Sequence, residues 1–146
     1  MKLSRLRSGE LVAAAGALAL VVLTFLPWYR SSTGSLSAWD DFGVMDVVIL
    51  AAIVAAGALI LATVTERTPA LPVASAIWAT LTSILAVLAI LVGLVSLPDH
   101  AVGLRAGSWL GLAAALAILA GSWQSLRDER TSCYPLAEPE PRRPRV

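Results

Sequence analysis

The sequence predicts an all-α membrane fold, a four-transmembrane-helix up-down-up-down bundle with a disordered C-terminal tail, and three observations carry that prediction. Of the 146 residues, 58% are hydrophobic and only 14% are charged, where soluble domains carry about 25% charge. The charges gather at the ends and connections, so that residues 11–29, 47–65, 68–98 and 106–126 contain no Asp, Glu, Lys, Arg or His. The basic residues also divide unevenly: Lys2, Arg5, Arg7, Arg67, Arg127, Arg130, Arg142, Arg143 and Arg145 fall on one side of such a bundle and only Arg30 and Arg105 on the other. By the positive-inside rule both termini are expected in the cytoplasm, in a multi-pass protein of the plasma membrane. The expected domain is 1–126, with helices at about 10–29, 38–65, 69–97 and 107–126, and 127–146 forms a cytoplasmic Pro/Arg-rich tail.

Each element has its own grounds. The charged start and apolar run of helix 1 could be a signal peptide, but the run ends in Phe25-Leu26-Pro27-Trp28-Tyr29 without a small-x-small cleavage site, which predicts a retained helix. At 1.5 Å per residue it reaches about 29 Å by Tyr29, leaving Trp28 and Tyr29 at headgroup level. Arg30 to Leu36, rich in Ser, Thr and Gly, is expected as a loop. Ser37-Ala38-Trp39-Asp40 has the serine-x-x-acid form of a capping box, and Asp40 and Asp41 suit the positive end of helix 2. Along that helix, spacing puts Trp39, Asp46, Leu50, Ile53 and Gly57 on one face. Glu66-Arg67-Thr68-Pro69 is a tight connection with Thr68 as N-cap and Pro69 at the first helical position. The hydroxyls of Ser75, Thr80, Thr82 and Ser83 on helix 3 are expected to bond their own helix's carbonyls or a neighbouring helix. A second loop, Pro98 to Ala106, leads to helix 4, whose small residues form two stripes, Gly107/Gly111/Ala115 and Ala113/Ala117/Gly121, that let helix backbones approach closely in lipid. Trp109 and Trp123 mark its two ends as aromatic belts. Beyond Arg127 the repeated prolines and arginines cannot bury a core.

The residues available for chemistry are few. Lone Cys133 excludes an intrachain disulfide, and one histidine, His100, cannot build a Cys/His zinc cluster. No Ser or Cys has a histidine near it in sequence, so no catalytic residue, cofactor site or metal site is expected and the chain is not read as an enzyme. Proton or ion coupling needs an ionisable group deep in a helix, whereas Glu10 and Asp46 lie at helix ends. The candidate interaction or structural residues are Trp28, Arg30, Trp39, Asp46, Arg105 and Trp109, all on the outer side of the predicted bundle. Asp46 is expected to pair within about 4 Å with Arg105, or failing that with Arg30, beneath a cap of Trp28, Trp39 and Trp109.

Known four-helix families can be compared residue by residue. Claudin-like proteins carry Trp-Gly-Leu-Trp and paired cysteines in the first outer loop, and this chain has Trp28 and Trp39 but no cysteine there. Small multidrug exporters place a glutamate in mid-helix 1, and Glu10 comes too early; quinone-linked thiol enzymes need a Cys-x-x-Cys, which is absent. Leu26-Pro27-Trp28-Tyr29, Ser37-Ala38-Trp39-Asp40, Phe42-Gly43-Val44, Asp46-Val47-Val48, Gly107-Ser108-Trp109-Leu110-Gly111-Leu112 and Ser125-Leu126-Arg127-Asp128-Glu129 resemble a group of uncharacterised four-helix membrane proteins from high-GC actinobacteria. The resemblance implies the fold and carries over no activity. The function expected is that of a non-enzymatic, structural or accessory multi-pass membrane protein with an aromatic and acidic outer face as its interaction surface. Its partners would be the lipid bilayer and a membrane protein or further copies of itself, with no nucleic acid. The alternative is a small oligomeric carrier or channel lined by the helix 3 hydroxyls and Asp46.

Overall fold

A computed structural model describes residues 8–40, 43–65, 70–97 and 101–131. Asp41, Phe42, the connection 66–69 with its expected N-cap Thr68, Asp99, His100, and the tail from 132 onward with Cys133 fall outside them, as do Lys2, Arg5 and Arg7. The element order is α1 (Ser8–Thr24), β1 (Pro27–Ser31), β2 (Ser35–Ser37), α2 (Val44–Thr65), α3 (Ala70–Val95), β3 (Ala101–Leu104) and α4 (Ala106–Thr131). The protein is mostly helical, and three helical stretches, Val44–Thr65, Val73–Val95 and Ala106–Asp128, are long and apolar enough to cross a membrane. Helix α1 is shorter at 17 residues, about 25 Å.

The expected all-α class needs correction, because both connections at one end of the bundle contribute to a three-stranded antiparallel sheet of order β2-β1-β3. Helix 1 does not run to Tyr29. Pro27 disfavours a helical conformation for Leu26 and offers no N–H, and α1 stops at Thr24. The next residues, Pro-Trp-Tyr-Arg-Ser, suit a strand. Ser31 and Gly34 then exchange backbone hydrogen bonds of 2.9 and 3.4 Å, turning the chain into β2. Helix 2 begins at Val44 rather than at residue 38. The serine-x-x-acid stretch is a turn instead of a capping box: Ser37 N donates to Asp40 Oδ2, and Trp39 N donates to Ser37 Oγ at 3.3 Å. Helix 4 runs on to Thr131, so the tail does not start at Arg127.

Around the bundle, α1 packs chiefly on α4, α4 on α3 and α3 on α2, with a lighter α1–α2 contact closing the ring. Large apolar side chains point outward on every helix, among them Leu18, Val22, Val54, Leu61, Leu85, Val92 and Leu116. The buried faces are instead built from small residues. On α1 the buried face is Gly9, Ala13, Gly16, Ala17 and Leu20. Facing it on α4 are Ala114, Ile118, Gly121 and Ser125, all buried. A Cβ on Gly16 would lie 2.9 Å from Ile118 N and 3.0 Å from Ala114 O, and one on Gly121 would overlap Ala13 N and Gly9 O. The two backbones therefore touch, which is the packing that lipid favours where no hydrophobic drive acts between helices. The Gly107/Gly111/Ala115 stripe is buried throughout, whereas in the other only Gly121 is buried and Ala113 faces out. Helix α2 turns Asp46, Ile49, Ala52, Ala56 and Leu59 inward, so the face drawn through Leu50 is rotated and Leu50 is exposed.

Glycine contact predicts a contrast between two substitutions, read as unfolding midpoint in mild detergent. Gly121→Ala should lower stability by about 1–3 kcal/mol, because backbone atoms of α1 cannot give way to a methyl group. Gly57→Ala meets nothing within 4 Å and should be neutral or stabilising by up to about 1 kcal/mol. Equal effects at the two sites would contradict the close α1–α4 packing.

Candidate functional site

The sheet end of the bundle is built on how α1 terminates. Its last four carbonyls, which no helical N–H can reach, all find donors: Thr24 Oγ1 on Val21 O at 2.7 Å, Phe25 N on Val22 O at 3.2 Å, Trp28 Nε1 on Leu23 O at 2.6 Å, and Ala38 N on Thr24 O at 3.3 Å. Trp28 is fully buried, so its ring packs inside the protein rather than facing outward. Its indole lies in a notch on α4 where Gly107 and Gly111 have no side chain. A Cβ on Gly111 would come within 2.5 Å of the indole, and one on Gly107 would overlap Pro27 O.

Strand β1 buries two successive residues, Trp28 and Tyr29, where a regular strand would alternate. The register explains it. Pro27 pairs with Ser37 and Tyr29 with Leu36, so Trp28 is the extra residue of a β-bulge and both side chains can face the helices. On the other edge Tyr29 pairs with Leu104, Arg30 with Gly103 and Ser31 with Ala101, and Arg105 N donates to Trp28 O at 2.9 Å. While Trp28 joins α1 to α4, Tyr29 reaches the other pair: a Cβ on Gly93 of α3 would lie 2.9 Å from Tyr29 Oη and 3.0 Å from the sulfur of Met45 on α2. Burial, and next the negative charge of Asp46, push the Tyr29 hydroxyl above its ordinary pKa of 10.0.

Asp46 is 2% exposed. Its Oδ2 accepts the Gly43 N–H at 3.0 Å, the reach-back from the third helical residue to the N-cap that forms half of a capping box. Asp46 thus makes a helix-start bond that the charge argument did not assign to it. Arg30 and Arg105 are both exposed; Arg30 follows the two inward residues of β1 and points away from the helices, and Arg105 enters α4, which has little contact with α2. The predicted triple-tryptophan cap is corrected. Trp28 is buried, Trp39 is half-buried with its ring 6.2 Å from that of Phe25, and Trp109 is 58% exposed on the outer side of α4. The sheet does bring Trp28, Arg30 and Arg105 together. Because Asp46 is buried, the exposed charges of this end, among the described residues, are Arg30, Asp40 and Arg105.

Two contributors escaped the sequence reading. Tyr29 was legible only as an interfacial aromatic until the bulge turned it inward. Glu10 is buried at the far end of α1, where Thr63 Oγ1 of α2 donates to its Oε1 at 3.3 Å. Its first-turn position signalled a helix-dipole role, and nothing in the local spacing pointed to α2. Three of the helix 3 hydroxyls bond their own helix: Thr80 to Ala76 O and Thr82 to Trp78 O, each at 2.8 Å, and Ser83 to Thr80 O at 2.9 Å. Among the described residues no group of three His, Cys, Asp or Glu is arranged to hold a metal ion. A surface cleft of about 410 Å³ between α2 and α3 is lined by Ala55, Ala58, Leu61, Ala62, Ser75 and Trp78, among others, and is mostly apolar. No protein-family model, curated protein or solved structure matches this chain. The likeness to the actinobacterial group therefore rests on the residues quoted for it.

Two measurements check this anchor. Trp28→Phe keeps a ring but removes the donor to Leu23 O, and should lower stability by about 1–3 kcal/mol, while Trp109→Phe should change it by no more than about 0.5 kcal/mol. Matching losses would show that the notch does not hold the sheet. For Tyr29, the raised folded-state pKa means that stability is complete below about pH 10 and falls as pH rises beyond it, because the unfolded tyrosine ionises first. Tyr29→Phe should flatten that alkaline fall, and an unchanged profile would remove Tyr29 as its source.

Proposed function

We propose that this chain is a four-span plasma-membrane protein with both termini cytoplasmic, and that it serves a structural or accessory role in which the sheet end meets a membrane partner. The observation that carries this reading is the sheet itself. Two connections distant in sequence are spent on a three-stranded platform fastened to the helices by Trp28 and Tyr29, and its outer side presents Arg30 and Arg105 rather than a catalytic group. Helix α1 supports the fourth span, since it packs along α4 and its apolar residues Leu18 and Val22 face outward as those of the other helices do. The nine-to-two division of basic residues supports the orientation. Burial of Asp46 withdraws one carboxylate from the acidic and aromatic face expected at first, and among the described residues leaves Arg30, Asp40 and Arg105 with the rings of Trp39 and Trp109 for the contact.

Labelling tests the orientation: in intact cells an impermeant maleimide should modify a Ser32→Cys variant, at the turn after β1, and leave Cys133 untouched until the membrane is opened. Modification of Cys133 from outside would reverse it. For the role, purification in mild detergent should recover a stoichiometric membrane partner or a defined homo-oligomer, and Arg30→Glu should release it without lowering the melting temperature. Solute-selective flux through sealed vesicles containing only this protein would overturn the accessory reading in favour of a carrier or channel.

A further inference from the structure

The outward face of α4 repeats a pattern from both ends. Arg105, the residue just before α4, and Trp109, Ala113, Leu116, Ala120, Trp123 and Arg127 on it follow one another at spacings of three and four, so they form one stripe down the helix from its start. All seven are exposed, and the buried residues Gly107, Gly111, Ala114, Ala115, Ile118, Gly121, Ser122 and Ser125 occupy the opposite side. Read from either end the stripe is arginine, tryptophan, small or leucine, tryptophan, arginine. At 1.5 Å per residue the two tryptophans stand about 21 Å apart and the two arginines about 33 Å apart. A hydrocarbon core of about 30 Å fits between the arginines, with each indole just inside its edge.

We propose that this stripe is a phospholipid-binding face, in which the Arg105 guanidinium takes the phosphate of a lipid whose acyl chain lies on Trp109, Ala113 and Leu116. Charge selects the occupant. A guanidinium matches a phosphate by two parallel N–H···O bonds, and exposed Arg105 heads an apolar stripe about 16 Å long, the length of one leaflet's chains. A second copy of the chain seated on this face would instead have to bury the arginine at each end against its own. The proposal rests on α4 crossing the bilayer as inferred above, and the maleimide experiment, repeated with Val102→Cys on β3 labelled from outside, tests that crossing independently.

The test uses the full-length protein. In a Cys133→Ser background, bimane placed by Ala113→Cys should be strongly quenched by brominated phosphatidylcholine in nanodiscs. Native mass spectrometry from mixed micelles should show phosphatidylglycerol retained in preference to a galactolipid of the same chains, which has no phosphate. Arg105→Gln should reduce that retention about five-fold, the effect of one basic residue near a lipid surface, and Arg30→Gln, nearby but off the stripe, should reduce it less. A bimane shielded from the brominated lipid would mean that protein covers the face, and equal retention by Arg105→Gln would remove the phosphate contact; either result overturns the proposal.

Discussion

The insertion of Trp28 between two glycines of α4 is the constraint on which the sheet end depends. One side chain fills the notch at Gly107 and Gly111, caps a carbonyl at the end of α1 through its Nε1–H, and holds β1 against the helices. The residue beside it completes the junction, because the bulge turns Tyr29 toward Met45 of α2 and Gly93 of α3. Two successive positions of one strand thus join two different helix pairs. Neither glycine could carry a side chain without expelling the ring or the strand, which is why the absence of a Cβ there matters more than any intrinsic flexibility.

Away from that end, the bundle is held by size rather than by polarity. In a soluble helix the large apolar residues face the core; here most of them face outward, and alanine, glycine and serine make up most of the inward faces beside Leu20, Ile49, Leu59, Ile90 and Ile118. The buried hydroxyls keep their bonds local. Thr80, Ser83 and Ser122 donate to carbonyls three or four residues earlier, so each satisfies itself without asking anything of a neighbouring helix. Close backbone approach and self-satisfied hydroxyls are compatible because both keep side-chain volume out of the contact. Glu10 is the exception, a carboxylate that accepts across helices from Thr63.

The four helices and one of the two α4 stripes were legible because apolar runs and small-residue spacings are local signals. The sheet was not. Its strands are three to five residues long, and β3 is separated from β1 by α2 and α3, so no window of sequence contains the pairing that makes either a strand. The same limit explains Asp46. Sequence could place it near a helix start and offered two arginines as partners on grounds of charge, and it did not single out the backbone N–H of Gly43, three residues away, as a donor. Pro27 was the available clue to the end of α1, and an apolar run that continued through Phe25 and Leu26 outweighed it. The glycine face of α1, Gly9 and Gly16 with Ala13 between, was as visible as the stripes on α4 and was passed over among many alanines.

The notch for Trp28 also sets a timetable. The tryptophan leaves the ribosome roughly 80 residues before Gly111, which at about 5–20 residues per second is a delay of roughly 4–16 s. Throughout that interval Leu23 O lacks its indole donor, and β1 has neither its second neighbour nor its seat. The nascent protein must therefore carry a large unhoused aromatic until α4, which holds both glycines of the notch, has been made.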